Sequence, residues 1–204
     1  DSYGSRGLGD VYKRQGQCMS DQFKITLAQL NATVGDLKGN ADKVMKAWVK
    51  ASDEYSNIIA FPELFITGYN PQDLILKPAF QKASYDIIKK IAEDCLEGPA
   101  IALGGPFCEA GKLYNAYYIL SQGKIQAIIK KHHLPNQEVF DEVRLFSSGT
   151  VDGPFQVDQM RIGSPICEDA WHTDIVETLA ETGAQTLLVP VSYTHLTLPT
   201  NHPV

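Results

Sequence analysis

Short apolar runs alternate with segments of helical periodicity along most of this 204-residue chain. Asn57–Phe61 and Ala100–Leu103 carry no charge, as is typical of strands buried on both faces. Apolar residues recur at helical spacing over residues 41–53, before the first of these runs, and over about 78–95, between the two runs, which predicts two amphipathic helices. Strands and helices that alternate in this way restrict the chain to the α/β class.

The rest of the chain predicts a hairpin and a second group of strands, because Ser121-Gln122-Gly123 separates two β-rich runs. We place a loop and a helix N-cap at residues 34–36 and 39–40, and the end of the third strand at Gly104-Gly105-Pro106. The predicted order is β-α-β-α-β-β-β-β-β-α-β. The strands are 23–30, 57–61, 100–103, 113–120, 124–130, 155–157, 160–166 and 186–189, and the helices are 41–53, 78–95 and 173–181.

Composition excludes several classes of function. The formal net charge of −6 argues against a nucleic-acid or membrane-surface partner, since both select a basic face. No apolar run approaches the roughly 20 residues of a membrane helix, and residues 1–18 contain no signal-peptide core. The four cysteines show no CxxC spacing, so we expect reduced thiols, a cytoplasmic protein and no metal site. His132 and His133, if in a strand, would point to opposite faces and could not chelate one ion.

The two ends differ from the middle of the chain. Residues 1–18 are rich in Gly and Arg without periodicity, and residues 191–204 contain no charged side chain. Residues 10–15 and 191–200 resemble translated linker sequence. We therefore predict a foreign leader at 1–18, a native body at 19–190 and a foreign tail at 191–204. The alternative is a disordered leader and a genuine Thr-rich strand.

Three polar residues occupy unusual places, and each has a plain alternative. Glu63 follows a buried strand, where lost hydration raises a carboxyl pKa toward that of a useful base; it could also be a helix-start carboxylate. Lys131 ends an apolar strand, where it could stabilise a developing anion or simply extend to solvent from a sheet edge. Cys167 precedes a predicted helix, where N–H groups favour thiolate, or it is an inert buried cysteine. His172 leaves a Cys–His dyad conceivable.

Taken in order, Phe61-Pro62-Glu63, Lys131-x-x-Leu134-Pro135 and Ile166-Cys167-Glu168-Asp169 resemble the nitrilase, or carbon–nitrogen hydrolase, superfamily. The match covers about residues 24–190. Within the superfamily the chain is most similar to the glutaminase domains of glutamine-dependent NAD⁺ synthetases. The segments that carry this narrower resemblance are 29–31, 34–36, 39–40, 61–64, 67–69, 131–136, 139–142 with Arg144 and Phe146, and 166–171.

The resemblance implies hydrolysis of an amide through a cysteine thioester. Cys167 would attack the side-chain carboxamide of glutamine, and Glu63 would carry the protons. Lys131 would stabilise the oxyanion, and Glu142 matches the second glutamate, which orients the lysine.

The resemblance also implies how glutamine is recognised. Tyr69 and Glu168 match positions that contact the α-amino end of glutamine, where a carboxylate suits an ammonium group. Gln137 stands where many relatives have tyrosine after Leu-Pro-Asn, so that contact differs in this chain.

The implied fold is a four-layer α-β-β-α sandwich, and we expect its C-terminal part to be missing beyond Pro190. We also expect the synthetase domain to be absent, since its Ser-Gly-Gly-x-Asp-Ser signature does not occur. That domain would use ATP and Mg²⁺ on deamido-NAD⁺, whereas the glutaminase step needs no cofactor. Complete relatives would form homo-oligomers. The alternatives are a stand-alone amidase of the ω-amidase or carbamoylase type, and an inactive fragment.

Overall fold

Two β-sheets form the centre of the molecule. The computed structural model describes residues 22–136 and 141–192. The first sheet has the order β1-β2-β3-β4-β5, with parallel pairing from β1 to β3 and antiparallel pairing from β3 to β5. In the second sheet, β7 pairs antiparallel with β6 and parallel with β8. The strands are β1 Ile25–Leu27, β2 Ile58–Ala60, β3 Ala100–Glu109, β4 Lys112–Ser121, β5 Lys124–Lys130, β6 Phe155–Val157, β7 Met160–Gly163 and β8 Thr186–Leu187.

In the described ranges, four α-helices and two 3₁₀ helices connect the strands. The α-helices are α1 Leu37–Asp53, α2 Pro78–Asp94, α3 Glu142–Leu145 and α4 Thr173–Glu181; the 3₁₀ helices are Gln72–Leu76 and Cys167–Trp171. Asp36 caps α1 by accepting a hydrogen bond from the Gly39 N–H at 2.9 Å. Pro78 is the first residue of α2, a position where its missing N–H removes no helical hydrogen bond.

The sheets and helices stack as four layers. Helices α1 and α2 cover one face of the five-stranded sheet through Val44, Ala51, Ile88, Ile91 and Ala92. The opposite face of that sheet shares a second apolar core with the three-stranded sheet. This core contains Ile58, Ala60, Ala100, Ala102, Tyr117, Ile119, Ile129, Val157, Ile162, Ile166 and Leu188. Helix α4 lies outside the second sheet, where the buried Leu179 packs against Gly163. The predicted α/β sandwich is therefore confirmed.

Several predicted boundaries are wrong. Helix α1 begins four residues before the predicted start, because Asp36 is its N-cap; Asn40 lies inside the helix and bonds Thr33 and Ile66 instead of capping. Four strands are shorter than predicted: β2 spans only Ile58–Ala60, and β1, β7 and β8 end at Leu27, Gly163 and Leu187. One backbone hydrogen bond continues past the end of β1, from Ala28 N–H to the Ala60 oxygen at 2.8 Å, and one past the end of β8, from Leu188 N–H to the Gly163 oxygen at 2.9 Å.

The Gly104-Gly105-Pro106 sequence lies within β3 and does not end it. These residues continue the ladder opposite β4 as far as Glu109. Gly104 is required because the turn after β2 crosses directly over it: a Cβ there would lie 2.3 Å from the Leu64 nitrogen and 2.5 Å from the Pro62 oxygen. The glycine therefore marks a close approach of two backbones and not a strand end.

Membrane insertion receives no support from the helices. Within residues 22–136 and 141–192, no helix has both the length and the apolar character needed to cross a bilayer.

We predict that Gly104→Ala lowers the free energy of unfolding by about 1–3 kcal/mol, because the backbone of the turn over it cannot yield as a side chain would. Urea denaturation measures this change. Gly153→Ala is the matched control, since a Cβ at Gly153 meets nothing within 4 Å. Equal stability of the two variants would contradict this account of β3.

Candidate active site

Glu63 lies in a turn directly after β2. Its backbone N–H donates to the Val191 oxygen at 3.2 Å, and its side chain is almost wholly buried. The next residue, Leu64, has a left-handed backbone with φ of 48°, which reverses the chain after Glu63. Residues 61–71 contain turns and no α-helix, so the alternative of a helix-start carboxylate is wrong.

Lys131 is the first residue after β5, and its side chain is 0% exposed. Its N–H donates to the Asn115 oxygen at 2.9 Å, and its oxygen accepts from Gly149 at 2.8 Å, so its backbone is fixed on both sides. The neighbouring Lys130 instead pairs with Glu109 at 2.8 Å near the surface. The alternative of a solvent-directed lysine therefore describes Lys130 and not Lys131.

The ammonium group of Lys131 binds two buried carboxylates. Its Nζ lies 2.7 Å from Glu63 Oε1 and 2.9 Å from Glu142 Oε2. Asn115 Nδ2 donates to the same Glu63 oxygen at 2.8 Å and to Glu142 Oε2 at 3.3 Å. The Tyr69 hydroxyl donates to Glu142 Oε1 at 3.1 Å. Segments far apart in sequence thus converge on one buried cation.

Burial and neighbouring charges determine the pKa shifts of Glu63 and Lys131. Burial raises the pKa of Glu63; Lys131 opposes this rise, and the Glu142 carboxylate adds to it. Burial alone would lower the pKa of Lys131, but Glu63 and Glu142 together raise it above its ordinary value. The lysine therefore stays charged, while Glu63 becomes a stronger base than an exposed glutamate.

Cys167 begins the second 3₁₀ helix with a left-handed backbone, φ 47°, and its N–H donates to the Pro190 oxygen at 2.9 Å. Burial, together with the charge of Glu63, raises the pKa of the thiol to about 11, although Lys131 and the Ser192 N–H oppose the rise. The expectation that this junction favours thiolate is therefore wrong for the resting site. The thiol is neutral and needs a base.

Asp169 ties the cysteine turn to the segment after Lys131. Its buried carboxylate accepts hydrogen bonds from the backbone N–H groups of His132 at 3.2 Å, His133 at 2.7 Å and Ile166 at 3.2 Å. These hydrogen bonds fix the position of the segment after Lys131 relative to the turn that contains Cys167.

The residues expected to contact glutamine are less closely grouped than Glu63, Lys131 and Glu142. Tyr69 lines a small cavity of about 40 Å³ together with Glu63 and Ser192, and its hydroxyl reaches Glu142. Glu168 is partly exposed and lies 3.5 Å from His172 Nε2. Gln137 lies outside the described residues.

The His172 ring stacks on the His133 ring at a centroid distance of 3.6 Å. Its described contacts, to His133 and Glu168, do not support a Cys167–His172 dyad.

A cluster of metal-binding side-chain types lies beside this site. His132 and His133 follow β5, so the alternation of a strand does not separate them, and their rings are 4.7 Å apart. With Asp174 they offer three ligand atoms within 4.8 Å of one another. His133 Nε2 already lies 3.2 Å from Asp174 Oδ2, and His132 Nδ1 lies 2.7 Å from the Gly149 oxygen. These hydrogen bonds account for the arrangement.

Sequence reasoning missed Asn115 and gave Asp169 no role. A signal for Asn115 was available, since it is a polar residue inside the apolar run of residues 113–120. Asp169 follows two residues after Cys167, but nothing in the sequence shows that its carboxylate turns inward.

The sequence profile of the carbon–nitrogen hydrolase family matches residues 24–204. The chain belongs to the carbon–nitrogen hydrolase family. The predicted superfamily is therefore confirmed, and the matched range includes the segment that we predicted to be a foreign tail.

Relatives of this carbon–nitrogen hydrolase include glutamine-dependent NAD⁺ synthetases. That of Rhodobacter capsulatus is 46% identical over 172 residues, which cover 84% of this chain and 31% of the relative. The solved structure of the Acinetobacter baumannii glutamine-dependent NAD⁺ synthetase, in complex with adenosine diphosphate, matches with a TM-score of 0.79 at 31% identity, covering 84% of this chain and 32% of that one. The chain thus spans about a third of their length.

An amidase from Nesterenkonia sp. shares the fold of this carbon–nitrogen hydrolase. It matches with a TM-score of 0.72 at 24% identity and covers 83% of this chain and 64% of that one.

We predict that alkylation of Cys167 accelerates about tenfold per pH unit up to pH 10, because only thiolate reacts and the pKa of this thiol is about 11. The rate of iodoacetamide labelling, measured by mass spectrometry with Cys18, Cys95 and Cys108 replaced by Ser, tests this. A rate that levels off near the ordinary thiol pKa of about 8.5 would contradict it.

The contribution of the Glu63 carboxylate to the raised pKa of the Cys167 thiol can be tested separately. Glu63→Gln should move the alkylation profile to lower pH, whereas Glu109→Gln, which alters an exposed ion pair, should leave it unchanged.

Proposed function

We propose that the chain is the glutamine-hydrolysing part of a glutamine-dependent NAD⁺ synthetase. The observation that carries the proposal is a buried ion pair, Glu63 and Lys131 with Oε1 and Nζ 2.7 Å apart, whose charges both act on the Cys167 thiol; burial first and Glu63 second raise the pKa of that thiol, and Lys131 opposes the rise. A nucleophile, a base and a cation for an oxyanion are the groups that amide cleavage through a thioester needs. The identity to NAD⁺ synthetases favours glutamine as the substrate.

Acylation begins when Glu63 takes the thiol proton and the Cys167 sulfur attacks the carboxamide carbon of glutamine. Negative charge develops on the carbonyl oxygen, where Lys131 and backbone N–H groups stabilise it. Glu63 then returns the proton to nitrogen, the carbon–nitrogen bond breaks, and ammonia leaves behind a glutamyl thioester.

Deacylation uses the same carboxylate a second time. Glu63 takes a proton from water, and the resulting hydroxide attacks the thioester carbon. The carbon–sulfur bond breaks, the proton passes from Glu63 to the sulfur, and glutamate is released. Glu142 orients Lys131 through both steps, since its carboxylate lies 2.9 Å from Nζ.

We assign recognition of the substrate α-amino group to Tyr69 and Glu168, and a glutamine contact to Gln137. Tyr69 borders the cavity that Glu63 lines. Glu168 follows Cys167 directly and is partly exposed, so it can meet a ligand ammonium from the solvent side.

The proposal extends to the whole protein. Ammonia from this site would amidate deamido-NAD⁺ in a synthetase domain that uses ATP and Mg²⁺, and the complete protein would be a homo-oligomer. We place it in the cytoplasm, in keeping with free thiols at Cys95, Cys108 and Cys167.

We predict that Cys167→Ala abolishes release of ammonia from glutamine. Glu63→Gln should lower kcat by about 10²–10⁴-fold, because one general acid–base group is lost. Cys108→Ala is the matched control and should retain the activity, since this thiol is on the surface beside Gln81. Equimolar formation of ammonia and glutamate is the measurement.

The choice of substrate separates the alternatives. Faster hydrolysis of butyramide than of glutamine would favour a stand-alone amidase, and release of ammonia that persists in Cys167→Ala would remove this cysteine from the mechanism. No hydrolysis of either amide by the chain would favour an inactive fragment.

A further inference from the structure

Asn115 lies in the middle of β4, a strand that the reaction described above does not use. Its side chain is 0% exposed, and its backbone oxygen accepts the N–H of Lys131 at 2.9 Å. Its amide Nδ2 donates to both buried carboxylates, at 2.8 Å to Glu63 Oε1 and 3.3 Å to Glu142 Oε2. One residue thus fixes the backbone of the lysine and contacts both of its acidic partners.

The orientation of the Asn115 amide is determined by the carboxylates. Among the described residues, its Oδ1 is buried and has no hydrogen-bond partner. A rotation of the amide by 180° would place that oxygen against two negatively charged groups. The side chain therefore leaves its own oxygen unsatisfied, at a free-energy cost, so that both N–H bonds can face the carboxylates.

The two carboxyl oxygens of Glu63 have different surroundings. Oε1 accepts from both Lys131 and Asn115, whereas Oε2 is buried and has no partner in the described part of the chain. Because both donors hold Oε1, Oε2 keeps its lone pairs free for the proton of the thiol or of water.

We propose that Asn115 is a positioning residue for amide hydrolysis: together with Lys131 it binds Glu63 Oε1, it bridges Glu63 and Glu142 through Nδ2, and it leaves Oε2 as the basic oxygen. This inference rests on the proposed function, because it concerns the same carboxylate.

The charged and titratable groups around Glu63 define what the loss of Asn115 would change. They are the Lys131 ammonium, the Glu142 carboxylate and the Cys167 thiol; Tyr69 reaches Glu142 from the turn after β2. The Lys131 ammonium has only three N–H bonds, and it contacts Glu63 Oε1 and both oxygens of Glu142. It has no further hydrogen to replace the one that Asn115 gives to Glu63.

The test replaces Asn115 with Leu, which has a similar volume and no donor, and with Asp, which adds a third acceptor. Titration of Glu63 is followed by ¹³C NMR of the glutamate carboxyl carbons. The Glu63 resonance is assigned as the one that disappears in Glu63→Gln. The pKa of Glu63 should rise by about one pH unit or more in Asn115→Leu, and further in Asn115→Asp, since a hydrogen bond to the charged form is lost. Asn57→Leu, in which a distant Asn–Asp158 hydrogen bond is removed, is the matched control and should leave the pKa unchanged.

Kinetics with glutamine give the second readout. In Asn115→Leu the acidic limb of the pH profile of kcat/KM should move upward by the same amount, with kcat lowered and KM little changed, because Asn115 is shielded from solvent. An unchanged Glu63 pKa in Asn115→Leu, whatever its effect on stability, would overturn the positioning role. The carboxyl titration needs no substrate. Failure of the parent chain to hydrolyse glutamine would therefore reject the proposed function, while the titration would still test whether Asn115 controls the pKa of Glu63.

Discussion

A single buried ammonium holds the site together. Removing an ion from water is unfavourable by several kcal/mol unless its partners satisfy its charge and hydrogen bonds. Lys131 is 0% exposed and lies within 3 Å of Glu63 and Glu142, so each carboxylate depends on the ammonium for the burial of its charge, and the ammonium depends on the two carboxylates. Because these residues follow β2, follow β5 and begin α3, the pairing also fixes three separate segments around the end of the five-stranded sheet.

The same interaction determines the chemistry that the site can perform. Two carboxylates share one ammonium, and burial keeps the pKa of Glu63 above its ordinary value. Burial, together with this negative charge, keeps the Cys167 thiol neutral at rest, so in the reaction that we propose its activation depends on transfer of the proton to Glu63. In the same proposal, the ammonium stabilises the charge that develops on a substrate oxygen.

Sequence predicted the α/β sandwich and the segments that carry Glu63, Lys131 and Cys167, because buried strands and helical periodicity are local signals. It could not predict contacts that only the assembled sheets create. In the sequence, Gly104 is typical of a turn, but in the structure it lies within a strand where a second backbone passes very close. Asn115 interrupts an apolar run in the sequence, and in the structure its amide donates to two carboxylates. The prediction that Cys167 favours the thiolate form was also wrong, since burial and the nearby charge of Glu63 raise the thiol pKa more than a helix terminus lowers it.

In the reaction that we propose, the sulfur of Cys167 forms an acyl bond to glutamine while Glu63 carries the proton. This intermediate can be trapped by acid quenching during reaction with glutamine and located by proteolysis and mass spectrometry. We expect a mass increase of one glutamyl group on the peptide that contains Cys167, removable by hydroxylamine as expected for a thioester. Turnover of glutamine with no such adduct, or with the adduct on a different side chain, would contradict this mechanism.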